Sequence, residues 1–463
     1  MNKTTGKGKK RKSRTPKQGL RVIRTNVAGI DLGSREHYVC CPPTPQGEIN
    51  VQYFGTTTPQ LYRLADWLKE QKVESVAMES TGVYWIPIYE ILERRGFEVL
   101  LVNARALSSV PGRKTDMLDC QWIQMLHSCG LLKGSFRPGD DVCALRSLVR
   151  EQTTMEEQRS DWLRRIQKSL DQMNVCVHHA VSDISGTTGM AIIRAIVEGE
   201  RNPATLAKLR NPRCRKSEEQ IVEELTGNWR DEHLFSLKQA LQMYDHICAI
   251  ITQYETEIHR MLTALQPPEH RDTKVPEPAN KTKAKNFRHR GQEPMREALF
   301  RLIGTDMTAI DGIGVNTAET ILSELGTDLS CFPSENHFAS YLKLVPKLAI
   351  SGGKPIPGKR FGSTTTRLGS VFRMAALTLR NSKTALGAEY RRIARRKGAN
   401  VAVFVLARRL AILVYRLLRY GQAYVDEGMK AYEARFKAAR IRTCKEIAKE
   451  FGLRVLDPQE AVA

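Results

Sequence analysis

Four acidic side chains, Asp31, Glu79, Asp116 and Asp119, occur where carboxylates can be gathered around divalent cations. Such cations take hard oxygen ligands, keep an open side for substrate, and suit the breaking and rejoining of phosphodiesters. Asp31 lies in VAGIDLGSREHYVCC, an apolar run with glycine on both sides of the carboxylate, which reads as one strand turning into a second. Glu79 closes ESVAMESTG, where the apolar alternation stops at Ser80, Thr81 and Gly82. In PGRKTDMLDCQWIQMLHSCGLL, Met117, Leu118, Ile123 and Leu126 have helical spacing after Pro111 and Gly112. A separation of three then puts Asp116 and Asp119 on one helical face. Taken singly, each acid is more simply a cap, a turn or a solvated residue. What joins them is their order along the chain: strand acid, hairpin, helix, strand acid, helix, strand, helix acids.

Two later segments carry other chemistry. MTAIDGIGVNTAETILSELG reads as a helix-hairpin-helix element: Gly312 and Gly314 permit the tight hairpin, and Val315, Asn316 and Thr317 open a helix whose exposed amides can hold a phosphate. An ordinary turn uses the same glycines. LAISGGKPIPGKRFGSTTTRLGSVFRMAALTL sets Ser351 before Gly352, Gly353 and Lys354, a stretch in which backbone can approach a ligand and lysines can neutralise phosphate. Serine in such a place is by itself most simply a turn residue. The nearest histidine, His337, is not adjacent to it. Gly312, Gly314, Asn316, Thr317, Lys354, Lys359, Arg360, Arg367 and Arg373 are the candidate nucleic-acid contacts, in a region that also holds Arg380, Arg391, Arg392, Arg395, Arg396, Arg408 and Arg409.

These motifs together resemble the DEDD transposases of bacterial insertion sequences, the IS-one-ten and IS-eleven-eleven class. VAGIDLGSREHY, VAMESTGVYW, GRKTDMLDC and the block from AIDGIGVNTAETILSELG to LKLVPKLAISGGK carry the likeness, which runs from about Val27 to about Tyr424. The resemblance implies a ribonuclease H-like (RuvC-type) N-terminal domain whose metal-binding D-E-D-D set falls on Asp31, Glu79, Asp116 and Asp119, with Mg2+ or Mn2+ as cofactor. It implies a nucleophilic serine at Ser351. Relatives often carry more than one hydroxyl at or beside this position, whereas this chain has Ile350, so nearby Ser363 keeps some claim. The likeness further implies a DNA recombinase that excises and inserts its element, guided by a structured (bridge) RNA that pairs with donor and target DNA. A site using both the carboxylates and the serine needs the two domains brought together, within or between subunits, so a homo-oligomer, dimer or tetramer, is expected. Two alternatives stay open: a metal-dependent nuclease of the Holliday-junction type without a covalent intermediate, and a non-catalytic nucleic-acid-binding scaffold. GIDLGS also fits the phosphate loop of sugar kinases, but no second Gly-rich phosphate loop follows in the expected order.

Composition fits this reading. The 463 residues are 41% hydrophobic, enough for two or three domains with cores, and 72 Lys and Arg against 50 Asp and Glu leave a formal charge of +22, which points to a polyanionic partner. The apolar run VAVFVLARRLAILVYRLL is broken by Arg408, Arg409 and Arg416 and reads as an amphipathic helix, so no membrane partner is expected. The opening residues lack the hydrophobic core of a signal peptide, and the expected location is the bacterial cytoplasm, in association with the nucleoid. Ten cysteines without CxxC spacing suit a reduced chain. Cys176, His178 and His179 form a small ligand-type cluster, but no matching partner pair is visible and no site is expected there.

The fold class expected is α/β plus all-α. A basic arm spans 1–26, the RuvC-like domain 27–142, a helical, coiled-coil region 143–266, a Pro/Lys/Arg-rich linker 267–294, a mostly helical C-terminal transposase domain 295–430, and a basic helix and tail 431–463.

Overall fold

A computed structural model describes residues 21–44, 46–80, 82–103, 107, 119–278, 281–289, 291–345, 348–351, 354–360, 366–421, 434, 437–438 and 440–453. The chain divides into two compact units, Met1–Arg137 and Pro138–Ala463. Asp116, Ser363, the arm before residue 21 and Gly352 and Gly353 lie outside the described residues.

In the first unit, strands β1 (Val27–Leu32), β2 (Glu36–Cys41) and β3 (Asn50–Gly55) form an antiparallel meander. Helix α1 (Thr58–Glu70) then crosses to β4 (Ser75–Glu79), which pairs parallel with β1, and α2 (Trp85–Arg94) crosses to β5 (Glu98–Val102), parallel to β4. The sheet order is β3-β2-β1-β4-β5. Strands buried on both faces read as continuous apolar runs, and VAGI and SVAM have that character. Ala28, Ile30, Val76 and Met78 pack with Leu61, Leu64 and Leu68 of α1 and Ile88 and Leu92 of α2. The alternate residues face the other way, where Ala77 and Val102 pack with Trp122, Ile123 and Leu126 of α3 (Asp119–Ser128).

The second unit is mostly helical among the described residues. Helix α4 (Asp140–Asp171) packs along α9 (Asp231–Ala264), and between them in sequence come α5 (Val177–Ala180), α6 (Thr187–Glu198), α7 (Pro203–Ala207) and α8 (Glu218–Leu225). Ile166 and Leu170 share a core with Leu237 and Leu241, while Glu156 interacts with Glu255, so the long helices run antiparallel. This internal pairing takes up one face of each. Pro203 opens α7, where its fixed φ is already helical, and the Asn202 side chain accepts from the Ala204 amide at 2.9 Å.

The segment expected as a solvated linker contains a helix, α10 (Lys281–His289). It buries Phe287, and Lys283 Nζ donates to the Thr308 carbonyl at 2.7 Å. A single aromatic in a basic stretch is too weak a pattern to reveal such docking. After α11 (Glu293–Ile303), a 3-10 turn and Gly312 lead into α12 (Val315–Leu325) and α13 (Glu335–Tyr341). Strands β6 (Leu348–Ser351) and β7 (Lys354–Arg360) pair antiparallel, followed by α14 (Arg367–Thr378), α15 (Ala385–Lys397) and α16 (Ala399–Tyr420). Residues 440–450 are also helical. Helix α16 contains the long apolar run: Leu406, Leu410, Val414 and Leu417 are buried, while Arg416 makes a bidentate pair with Glu335 at 2.6 and 2.9 Å. Among the described residues no helix is long and apolar enough to cross a membrane.

One carboxylate in this unit is held against its preference. Glu319 of α12 is 7% exposed, its Oε1 has no hydrogen-bond partner, and burial, then Glu156 and Glu255, push its carboxyl up to about 7. The folded form therefore keeps a proton that the unfolded chain releases near its ordinary value of 4.5, and stability falls as pH rises from there through about 7. At pH 8 the charged form should cost up to about 3 kcal/mol. Glu319→Gln should raise the denaturant midpoint of the full chain at pH 8 and leave it nearly unchanged at pH 4.5; an unaltered pH dependence in the variant would refute this assignment.

Candidate metal and phosphodiester site

Parallel pairing sets Ile30 beside Met78, so Asp31 and Glu79, one residue further along each strand, stand at the same level on neighbouring strands whose backbones are about 4.8 Å apart. Strand alternation turns both toward the face that carries α3, opposite to Ile30 and Met78. Both are half-buried, and neither is without a partner.

Helix α3 reaches that face through a glycine. A Cβ on Gly29 would lie 2.3 Å from the Gln124 amide nitrogen and 2.4 Å from the Cys120 carbonyl oxygen, so helix and strand touch backbone to backbone. Gln124 Nε2 also donates to the Val27 carbonyl at 3.4 Å. The helix therefore runs against the direction of β1, with Gln124 near the strand's start and its N-terminal turn toward Asp31. Asp119 is exposed in that first turn, where the helix dipole favours a carboxylate.

The electrostatics agree with this proximity. Cys120 is fully buried, and its thiol is pushed up to about 11 by burial and by the negative charges of Asp31 and Asp119. Cys40, the register partner of Gly29, is buried in the same wall and is raised to about 12, again chiefly by burial. Inert thiols and hard carboxylate oxygens make a donor set suited to magnesium- or manganese-type ions rather than thiophilic ones.

Tyr38 and Tyr53 were not singled out in the sequence. Register pairs Asp31 with Tyr38 and Tyr38 with Tyr53, so carboxylate and both rings form a row across one sheet face. The ring centroids are 6.2 Å apart, and Tyr53 is 64% exposed. The alternation within EHYVCC and NVQYFG, which turns these aromatics away from the α1 and α2 core, was the available signal.

In the second unit, Ser351 is the last residue of β6 and pairs with Lys354 at the start of β7. It thus ends a strand rather than lying in an open loop. Lys359 and Arg360 close the same hairpin. Gly312 adopts φ 86°, and a Cβ there would lie 3.0 Å from the Ala375 carbonyl oxygen, so close packing against α14 accounts for this glycine. Gly314 flanks α12 with open space around it, and Gln292 donates to Asn316 Oδ1 at 2.6 Å. Thr317 is half-buried in the first turn. Arg367 is engaged by Glu324 at 3.4 Å and by Thr153 Oγ1 at 2.9 Å, while Arg373 donates to Ser370 Oγ at 2.8 Å and lies over the Phe404 ring. Arg392, Arg395 and Arg396 are exposed on α15.

Two family models match the chain. One, described as the IS110-type DEDD transposase, covers residues 28–175 and so includes every candidate carboxylate. The other, the transposase IS116/IS110/IS902 family, covers residues 304–391 and includes Ser351. Together they span just over half of the chain, which belongs to the IS110 family of insertion-sequence transposases. Transposition, a recombination of DNA, is therefore its class of activity, and DEDD transposase domains generally use divalent metals. No curated protein matches the chain.

The contact at Gly29 is open to a direct test. Gly29→Ala should lower the stability of the first unit by roughly 3 kcal/mol and reduce recombination, because helix and strand must separate to admit the methyl group. Gly55→Ala is the control, since its methyl would meet only the Gln60 side chain, with Cγ at an ordinary 3.4 Å. Equal thermal midpoints for the two variants would rule out the tight contact.

Proposed function

We propose that this transposase is an RNA-guided DNA recombinase that uses the carboxylates Asp31, Glu79, Asp116 and Asp119 together with Ser351 as nucleophile. The observation that carries the reading is the standing of Asp31 and Glu79 level on adjacent parallel strands, on the face that receives the first turn of the helix bearing Asp119. The order of the five strands, with two parallel crossovers after an antiparallel meander, supports a ribonuclease H-like reading of this unit.

Asp31, Glu79 and Asp119 would hold one or two divalent cations, and such ions, when bound, neutralise charge developing on phosphate oxygens. The remaining work falls to the protein. The Ser351 hydroxyl attacks phosphorus, its Oγ–P bond forming as the bond to one deoxyribose oxygen breaks; the hydroxyl proton leaves to solvent and the sugar oxygen takes one up. A sugar hydroxyl from the other DNA partner later displaces the serine. The number of phosphodiester bonds is conserved, so strand exchange needs no high-energy cofactor. Tyr38 and Tyr53 offer an unpaired base a stacking surface beside the carboxylates. Lys354, Lys359, Arg360 and the exposed arginines of α15 neutralise backbone phosphate, and base pairing with the guide RNA carries sequence choice.

A covalent protein–DNA adduct is the expected intermediate, seen as a slower band after denaturation. Ser351→Ala should abolish it, and Asp31→Asn should lower its rate by on the order of a thousandfold or more, while both variants still bind DNA and RNA. An adduct that persists in Ser351→Ala, or cleavage by wild type without one, contradicts the nucleophile. Guidance is checked separately: a structured RNA should co-purify and be required for target choice, and full activity on bare DNA would overturn it.

A further inference from the structure

Cys176, His178 and His179 had no visible partner in the sequence, and folding supplies one from 45 residues beyond His179. Helix α8 brings Glu224 to the cluster: the Cys176 amide donates to the Glu224 carbonyl at 2.8 Å, and His179 Nδ1 lies 3.3 Å from Glu224 Oε2. The Cys176 sulfur, a ring nitrogen of His179 and a carboxylate oxygen of Glu224 all lie within 4.8 Å of one another. No other group of three possible ligand residues comes this close among the described residues.

The positions are fixed by more than the three side chains. Lys216 Nζ holds Glu224 Oε1 at 2.7 Å, which turns the second oxygen toward His179 and suits one-oxygen ligation. The His178 ring packs against that of His179 with centroids 4.2 Å apart, and its Nδ1 faces Asp171 Oδ1 at 3.4 Å. Backbone and neighbours therefore orient the cluster in the way supporting groups orient metal ligands.

We propose that Cys176, His179 and Glu224 form a binding site for Zn2+ or a similar borderline-soft divalent cation, separate in chemistry from the all-carboxylate site of the first unit. One sulfur, one imidazole nitrogen and one carboxylate oxygen make three ligands of a tetrahedral site, with water completing it at the exposed side. The thiol proton is released to solvent as the S–Zn bond forms. Bound metal would clip the turn after α4 to α8, adding to the Cys176 backbone bond, the His179–Glu224 contact and the core that Val175 and Val177 share with Ile221 and Leu225.

Co2+ reports on this site because a thiolate ligand gives a charge-transfer band that carboxylate sites lack. Titration of the metal-free full-length chain with Co2+ should produce that band, with the visible absorption of tetrahedral cobalt, saturating at one equivalent and bleached by Zn2+ but not by Mg2+. Cys176→Ser should abolish the band. His179→Ala changes an exposed residue, spares the fold, and should weaken Co2+ binding about tenfold or more. Absence of the charge-transfer band in the wild type, its survival in Cys176→Ser, or unchanged affinity in His179→Ala would overturn the proposal.

Discussion

Helix α3 and strand β1 meet backbone to backbone at Gly29, where any side chain would have to occupy the space of the Gln124 amide and the Cys120 carbonyl. Most of the first unit's second face follows from this contact. It seats Trp122, Ile123 and Leu126 on Ala77 and Val102, buries Cys120, and brings the helix's first turn alongside the strand end that carries Asp31. Carboxylates bind a cation at least cost when their spacing is set beforehand, and here sheet register sets Asp31 level with Glu79 while the close approach at Gly29 brings the start of α3 to the same face.

The second unit has its own organising contact at Glu324, which is almost fully buried. Arg150 grips both carboxylate oxygens at 2.8 Å, Arg146 donates to the Glu324 carbonyl at 2.5 Å, and Arg367 approaches at 3.4 Å. The long helix α4 is thereby tied to α12 and to α14, the helix that follows the hairpin containing Ser351. Removing one partner of such a buried network leaves charge unpaired, which costs more than the pairing itself contributes. Arg367, a phosphate candidate by composition, has this structural duty to account for it.

The strands bearing Asp31 and Glu79 were legible because apolar runs ending in glycine and small polar residues have few other readings. The long antiparallel helices were legible from their periodicity. The close approach at Gly29 was not, since a glycine beside an aspartate reads first as a turn residue and nothing local reveals a helix 90 residues later. The same limit hid Glu224: it lies on a helix whose pattern looks like an ordinary charged face, and only tertiary packing sets it against Cys176. Lys283 and Phe287 were missed for a different reason, because a helix docked by one aromatic and one lysine-to-carbonyl bond is indistinguishable in composition from a solvated linker.

Iron-mediated backbone cleavage is the decisive measurement of the proposal that Asp31, Glu79 and the start of α3 gather around bound divalent metal. Fe2+ bound in place of Mg2+ generates hydroxyl radicals that cut only nearby peptide. Cuts are expected to cluster around residues 31, 79 and 119, to be suppressed together by excess Mg2+ and to be lost together in Asp31→Asn. Cuts confined to one of these segments, or an unchanged pattern in the variant, would contradict it.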